Sequence, residues 1–181
     1  FRQKPLGIWL PECAYYEGLD ELMAESGLRY AVLDGHGLLN ADPRPRYGLY
    51  APICTQKGVA FFGRDSESTL PVWSARDGYP GNPNYREFHR DLGWDLSVEN
   101  LKKIGIKEKR PLGIKLYKIS SKHTSLAKKQ QYDPEAAQKS IRKDAENYLK
   151  ERKKQLIKLE GSMKIEPLLI APFDAELFGH W

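Results

Sequence analysis

Residues 133–160 read as one long helix, and the rest of the chain has to be arranged around it. Asp133 is placed to cap it, Pro134 suits its first turn, and Gly161 stops it. Ile141, Ala145, Tyr148, Arg152, Leu156 and Leu159 step by threes and fours along one face, while Lys, Arg, Glu and Asp crowd the other. Such a face needs a surface to lie on, and the apolar runs elsewhere are strand-sized. They are Leu6–Pro11, Arg29–Leu33, Leu49–Ile53 with Val59–Phe62 around the Lys57-Gly58 turn, Ile114–Ile119, and Pro167–Phe173. Shorter helical patterns fall between them. Gly18–Gly27 places Leu19, Leu22 and Met23 on one side, and Asp65–Ser74 is capped by Asp65 or Ser66. Strand and helix therefore alternate, which implies an α/β fold with a parallel sheet and covering helices. Asp34-Gly35-His36-Gly37 and residues 40–48 read as loops. Residues 77–95, dense in Gly, Pro, Asn and aromatics, form a longer excursion of the kind that carries function.

Several function classes are disfavoured. No apolar run approaches the ~20 residues of a membrane span, so no membrane partner is expected. The net charge is +5 and Lys residues gather between 102 and 129. On the long helix, however, acids are interleaved with bases, and pairs such as Glu146–Lys150 suit a solvated face, so nucleic acid is not expected as a partner. The two cysteines, Cys13 and Cys54, offer neither a disulfide framework nor metal spacing, which points to a reducing, cytoplasmic setting. Cys13 lacks a positioned base and reads as a small buried thiol. His89 and His123 have no partner pattern and read as surface residues. No phosphate-binding glycine loop is present, and no metal or cofactor is expected. The chain opens on Phe1 and stops at Trp181, amid an aromatic-rich segment. Both ends read as cuts through a longer protein, and the 181 residues alone are expected to be insoluble or inactive.

Two acids stand in matching positions. Glu12 directly follows Gly7-Ile-Trp-Leu-Pro11, and Asp174 directly follows Leu168-Leu-Ile-Ala-Pro-Phe173. Parallel strands would deliver both to the carboxyl-end face of a sheet or barrel, where active sites of such folds lie. Aromatics surround each: Trp9, Tyr15 and Tyr16 near Glu12, and Phe173, Phe178, His180 and Trp181 near Asp174. A pyranose has an apolar C–H face that packs on such rings and a hydroxyl rim that needs polar partners. Glycoside cleavage with retention needs two carboxyl groups roughly 5–5.5 Å apart, one as nucleophile and one as acid/base. The same acids also suit helix caps, and the same tryptophans suit a core.

Gly7-Ile-Trp-Leu-Pro-Glu-Cys-Ala-Tyr15 resembles the nucleophile motif of glycoside hydrolase family 57. Ala171-Pro-Phe-Asp-Ala-Glu-Leu-Phe-Gly-His-Trp181 resembles that family's general-acid motif. Asp34-Gly-His-Gly37, Val72-Trp-Ser74, Gly78-Tyr-Pro-Gly81 and Tyr85-Arg-Glu-Phe88 with Arg90-Asp91 are also similar to the branch holding 1,4-α-glucan branching enzymes and their α-amylase-like relatives. The resemblance implies that Glu12 is the nucleophile and Asp174 the general acid/base. It implies an α-glucan site formed by Trp9, Tyr15, His36, Trp73, Trp94, His180 and Trp181. It also implies part of an incomplete (β/α)7 barrel, a retaining mechanism and no required metal. The expected protein is thus the central segment, residues 1–181, of a catalytic barrel that needs N- and C-terminal parts to be complete. The family's N-terminal His-Gln-Pro motif and its following helical domain are both absent from these residues. The expected activity is branching, with cleavage of α-1,4 and formation of α-1,6 links. Hydrolysis of the α-amylase type is the alternative, and non-catalytic glucan binding the third.

Overall fold

A computed structural model describes residues 2–175. The described residues divide into two compact units, one comprising residues 2–70 with Lys150–Phe173, the other Pro71–Leu149 with Asp174 and Ala175.

The first unit is built on a four-stranded sheet. Strands β1 (Gly7–Trp9), β2 (Tyr30–Asp34) and β4 (Ala60–Arg64) run parallel, and β3 (Ile53–Cys54) pairs antiparallel with β4, giving the order β1-β2-β4-β3. Helix α1 (Leu19–Glu25) connects β1 to β2, as the pattern 18–27 anticipates. One face of the sheet is the core. Ala31, Leu33, Val59 and Phe61 are buried there with Leu10, Met23, Leu38 and Leu49. Alternation with period two puts Ala31 and Leu33 inward and leaves Tyr30, Val32 and Asp34 more open. The expected mixed α/β class with a parallel-dominated sheet is thus present, as for part of an incomplete barrel.

Three expected elements differ. The Asp34–Gly37 loop is instead the start of helix α2 (Gly35–Leu39), with Asp34 as its N-cap. The expected strand 49–53 is reduced to its last residue, because Pro52 has no N–H to give a ladder. Leu49 goes to the core instead. The run 167–173 forms a single parallel bridge, Ile170 to Arg64, with the Leu168 N–H donating to the Tyr50 carbonyl at 2.9 Å, and the prolines at 167 and 172 again limit pairing.

Helix α3 (Ser66–Trp73) begins as expected. The Asp65 carboxylate accepts from the backbone N–H groups of Glu67 and Ser68 at 3.3 and 3.2 Å. It also accepts from the Ser68 hydroxyl and from Gln155 Nε2 at 3.0 Å. Gln155 lies in the last turns of helix α6 (Pro134–Glu160), which belong to the first unit, so polar contacts within that unit gather around a buried acid.

In the second unit, α6 presents a face displaced from the one its apolar residues suggest. Ala137 and Ser140 are buried, whereas Ile141 is 48% exposed. The cause is the excursion 77–95, which docks by hydrogen bonds. Asn84 Nδ2 donates to Ser140 Oγ (3.0 Å), Tyr85 Oη to Asp144 Oδ2 (2.5 Å), Asn82 Nδ2 to the same oxygen (3.1 Å), and Tyr79 Oη to Asn147 Oδ1 (2.7 Å). The excursion also contains a 3-10 turn at Tyr79–Gly81 and helix α4 (Leu92–Asp95), followed by α5 (Val98–Lys103). The expected strand 114–119 is present only as single bridges, Arg86–Lys118 and Tyr117–Gln131.

Asp91 holds this unit together. It is 1% exposed and accepts from the N–H groups of Gly93 (2.8 Å), Leu112 (2.8 Å) and Gly113 (3.0 Å), with Lys115 Nζ at 3.1 Å. Gly93 is needed beside it, since a Cβ there would lie 1.8 Å from the Arg110 carbonyl. Burial alone would raise the Asp91 pKa, but the donors from Leu112, Gly93 and Lys115 outweigh it and hold the carboxyl below its usual range. Its contribution to stability is therefore complete above the unfolded-state pKa and is lost as pH falls through the folded one. We expect Asp91→Ala in the full-length protein to cost about 3–5 kcal/mol of unfolding free energy, because it strands a lysine and three N–H groups. Denaturant titration would read this, and Asp91→Asn, which retains one acceptor, should lose less.

Candidate active site

The sheet order places the carboxyl ends of β1, β2 and β4 side by side, and the chemistry-bearing residues of the first unit lie along that edge. Strand β1 leaves the sheet after Trp9, Leu10 is buried, and Pro11–Cys13 form a single 3-10 turn. Within it Glu12 has φ 52° and ψ 19°, and Cys13 follows with φ 54°. Two consecutive left-handed residues without a glycine are uncommon, and each costs of order 1–3 kcal/mol unless its surroundings enforce it. Here the enforcing contacts are local. Cys13 N–H donates to the Leu10 carbonyl at 2.8 Å, Ala14 N–H to that of Pro11 at 3.1 Å, and the Trp9 indole N–H to Cys13 Sγ at 2.9 Å. The strained turn leaves Glu12 exposed at the strand end. The helix-cap reading of Glu12 fails, since neither this turn nor α1 has a side-chain cap.

On the neighbouring strands, Asp34 and Arg64 are register partners at the carboxyl ends of β2 and β4. Arg64 Nη2 lies 3.2 Å from Asp34 Oδ2, and His36 Nδ1 lies 3.1 Å from Asp34 Oδ1. Asp34 therefore orients a histidine whose side chain is 80% exposed. Burial pushes the Asp34 carboxyl up, but hydrogen bonds from the His36 ring and backbone, with the Arg64 charge, hold it below the usual carboxylate range. An exposed carboxylate and an oriented imidazole on one sheet edge suit a ligand with many hydroxyl groups.

The other expected residues are distributed as follows. Trp9 is half-buried and tied to Cys13. Tyr15 is 45% exposed and leans edge-on against the core ring of Phe61, centroids 5.2 Å apart; burial pushes its hydroxyl pKa up. Trp73 ends α3 and Trp94 lies in α4, at 44% and 48% exposure, so neither is a core tryptophan. Both belong to the second unit, as does Asp174, which is exposed and follows the Ile170 bridge by four residues. His180 and Trp181 lie outside the described residues. Arg64 was not anticipated. It becomes visible as a site residue only once the register pairs it with Asp34.

Comparison with known proteins gives this geometry a context. The family model described as glycosyl hydrolase family 57 matches residues 1–104, more than half of the chain. A 1,4-α-glucan branching enzyme of Thermococcus kodakarensis is 31% identical, aligned to all of this chain and 28% of its own length. Among solved structures, the α-amylase AmyC of Thermotoga maritima is 44% identical with a TM-score of 0.90, over 99% of this chain and 35% of that one. A family 57 branching enzyme of Pyrococcus horikoshii is 29% identical with a TM-score of 0.79, over 99% of this chain and 32% of that one. The chain thus spans about a third of the length of the relatives it matches. Among the described residues, no helix is long and apolar enough to cross a membrane. With the family match covering most of the strands, the left-handed glutamate turn included, this chain belongs to glycosyl hydrolase family 57.

Proposed function

We propose that the protein is a retaining α-1,4-glucan branching enzyme, in which Glu12 is the nucleophile and Asp174 the general acid/base. The observation that carries this reading is the strained turn that holds Glu12 exposed at the carboxyl end of β1, next to the Asp34–His36 pair. In the first step the Glu12 carboxylate attacks the anomeric carbon. The C1–O4 bond breaks, and Asp174 gives its proton to the departing O4. In the second step Asp174 takes the proton of a glucan 6-hydroxyl. That oxygen attacks C1, the ester to Glu12 breaks, and an α-1,6 link forms. The residues assigned to α-glucan binding are Trp9, Tyr15, His36, Trp73, Trp94, His180 and Trp181, with His36 taken to contact a sugar hydroxyl. On this proposal residues 1–181 are the central segment of the catalytic barrel, with 77–95 as its excursion, and the free thiols of Cys13 and Cys54 suit a cytoplasmic setting.

Hydrolysis is the second reading, with water in place of the 6-hydroxyl. It is favoured by the higher identity to the Thermotoga α-amylase, 44% against 29–31% for the branching enzymes. Amylose treated with the full-length protein separates the two. We expect new α-1,6 linkages with little net gain in reducing ends. Reducing ends without branches would make the protein a hydrolase, and binding without turnover would end the catalytic proposal.

A further inference from the structure

The second unit contains a cavity of about 690 Å³ whose lining, among the described residues, includes none of Glu12, Asp174, Trp9, Trp73 and Trp94. It is built on the Tyr85–Phe88 segment, whose residues have no part in the chemistry above. Four rings line it, those of Tyr79, Tyr85, Phe88 and Tyr132, and Phe88 and Ile141 at its edge are 46% and 48% exposed. The size lies within the ~300–1,000 Å³ of small-ligand sites, which are also mostly apolar with a few polar groups.

The charged groups around it identify the class of ligand. Lys115 Nζ is paired with Asp91 at 3.1 Å and stands 5.3 Å from the Phe88 ring centroid. Arg86 donates to the Lys115 carbonyl, and its guanidinium carbon lies 3.9 Å from the Tyr132 ring centroid. Glu87 is paired with Lys129 at 2.9 Å. The hydroxyls of Tyr79 and Tyr85 already donate to Asn147 and Asp144. Lys115 and Glu87 are each balanced by an opposite charge inside the protein, and Arg86 is held between the Lys115 carbonyl and the Tyr132 ring, so a phosphate or carboxylate ligand would have to break these contacts at a cost in desolvation. A neutral ligand that stacks apolar C–H faces on rings and exchanges hydroxyl hydrogen bonds with peptide groups meets no such penalty.

We propose that this cavity is a second α-glucan site, separate from the catalytic one, which holds a neutral stretch of the substrate chain. The inference rests on the reading of the protein as an α-glucan enzyme. The test uses the full-length protein carrying Glu12→Gln, so that the ligand is not consumed, and calorimetry with maltoheptaose. Phe88→Ala removes a ring, and Ile141→Trp fills the mouth from an exposed helix position, so one variant decides if the other misfolds. Two classes of site are expected in the parent. Either substitution should weaken one class roughly five- to tenfold, the size of a lost stacking contact. Isotherms unchanged by both substitutions, in a protein whose wild type turns over amylose, would overturn this inference alone. A full-length protein that neither binds nor turns over any glucan would overturn the parent reading and this inference with it.

Discussion

Glu12→Gln in the full-length protein is expected to lower amylose turnover about 10⁴-fold or more, the scale seen when a covalent nucleophile is removed, while leaving amylose binding within roughly twofold. The amide keeps the length and shape of the side chain but cannot form the glycosyl ester. The substitution should spare the fold. The turn is held by the Leu10 and Pro11 carbonyls and by the Trp9–Cys13 contact, and its own side chain caps nothing. The left-handed backbone is as accessible to Gln as to Glu, so whatever strain the turn stores is unchanged. A melting temperature equal to wild type is thus part of the expectation. Retained turnover at an unchanged melting temperature would remove Glu12 from the mechanism.

Local rules made some of this architecture legible and long-range pairing hid the rest. The caps were readable because they depend on neighbours in sequence. Asp65 and Asp133 each accept from N–H groups two and three residues on, as their positions before apolar-periodic segments suggest. The parallel strands were readable from short apolar runs separated by a helical pattern. The buried side of α6 was not readable. It is decided by Asn82, Asn84 and Tyr85, more than fifty residues upstream, and polar docking leaves no mark in an apolar periodicity. For the same reason the 114–119 run misleads. Its alternation is real, but the ladder it would need is replaced by single bridges and by the Asp91 clasp. At the candidate site, the strand-end position of Glu12 was visible in the sequence. Its positive φ was not, because glutamate carries none of the signal a glycine would. The Arg64–Asp34–His36 chain required the strand register, which no local pattern fixes.

Asp174→Ala is the second large effect, and its form is more informative than its size. General acid catalysis is typically worth 10²–10⁴-fold, so amylose turnover by the full-length variant should fall by about that range. The loss should depend on the leaving group. A glucosyl substrate that departs as an acidic phenol or as fluoride needs little proton donation, so glycosyl transfer to Glu12 should be nearly intact. The glycosyl ester then accumulates, because no base is left to deprotonate the acceptor. Azide needs no deprotonation. Added to the variant it should attack C1, break the ester to Glu12 and release an α-glucosyl azide, the same configuration as the substrate. The exposed setting of Asp174 argues that removal of its carboxyl leaves the fold in place, so the rescue is measurable. An equal loss on activated and natural substrates, with no azide product, would show that Asp174 does not handle the proton. The acid/base would then have to be sought elsewhere in the protein.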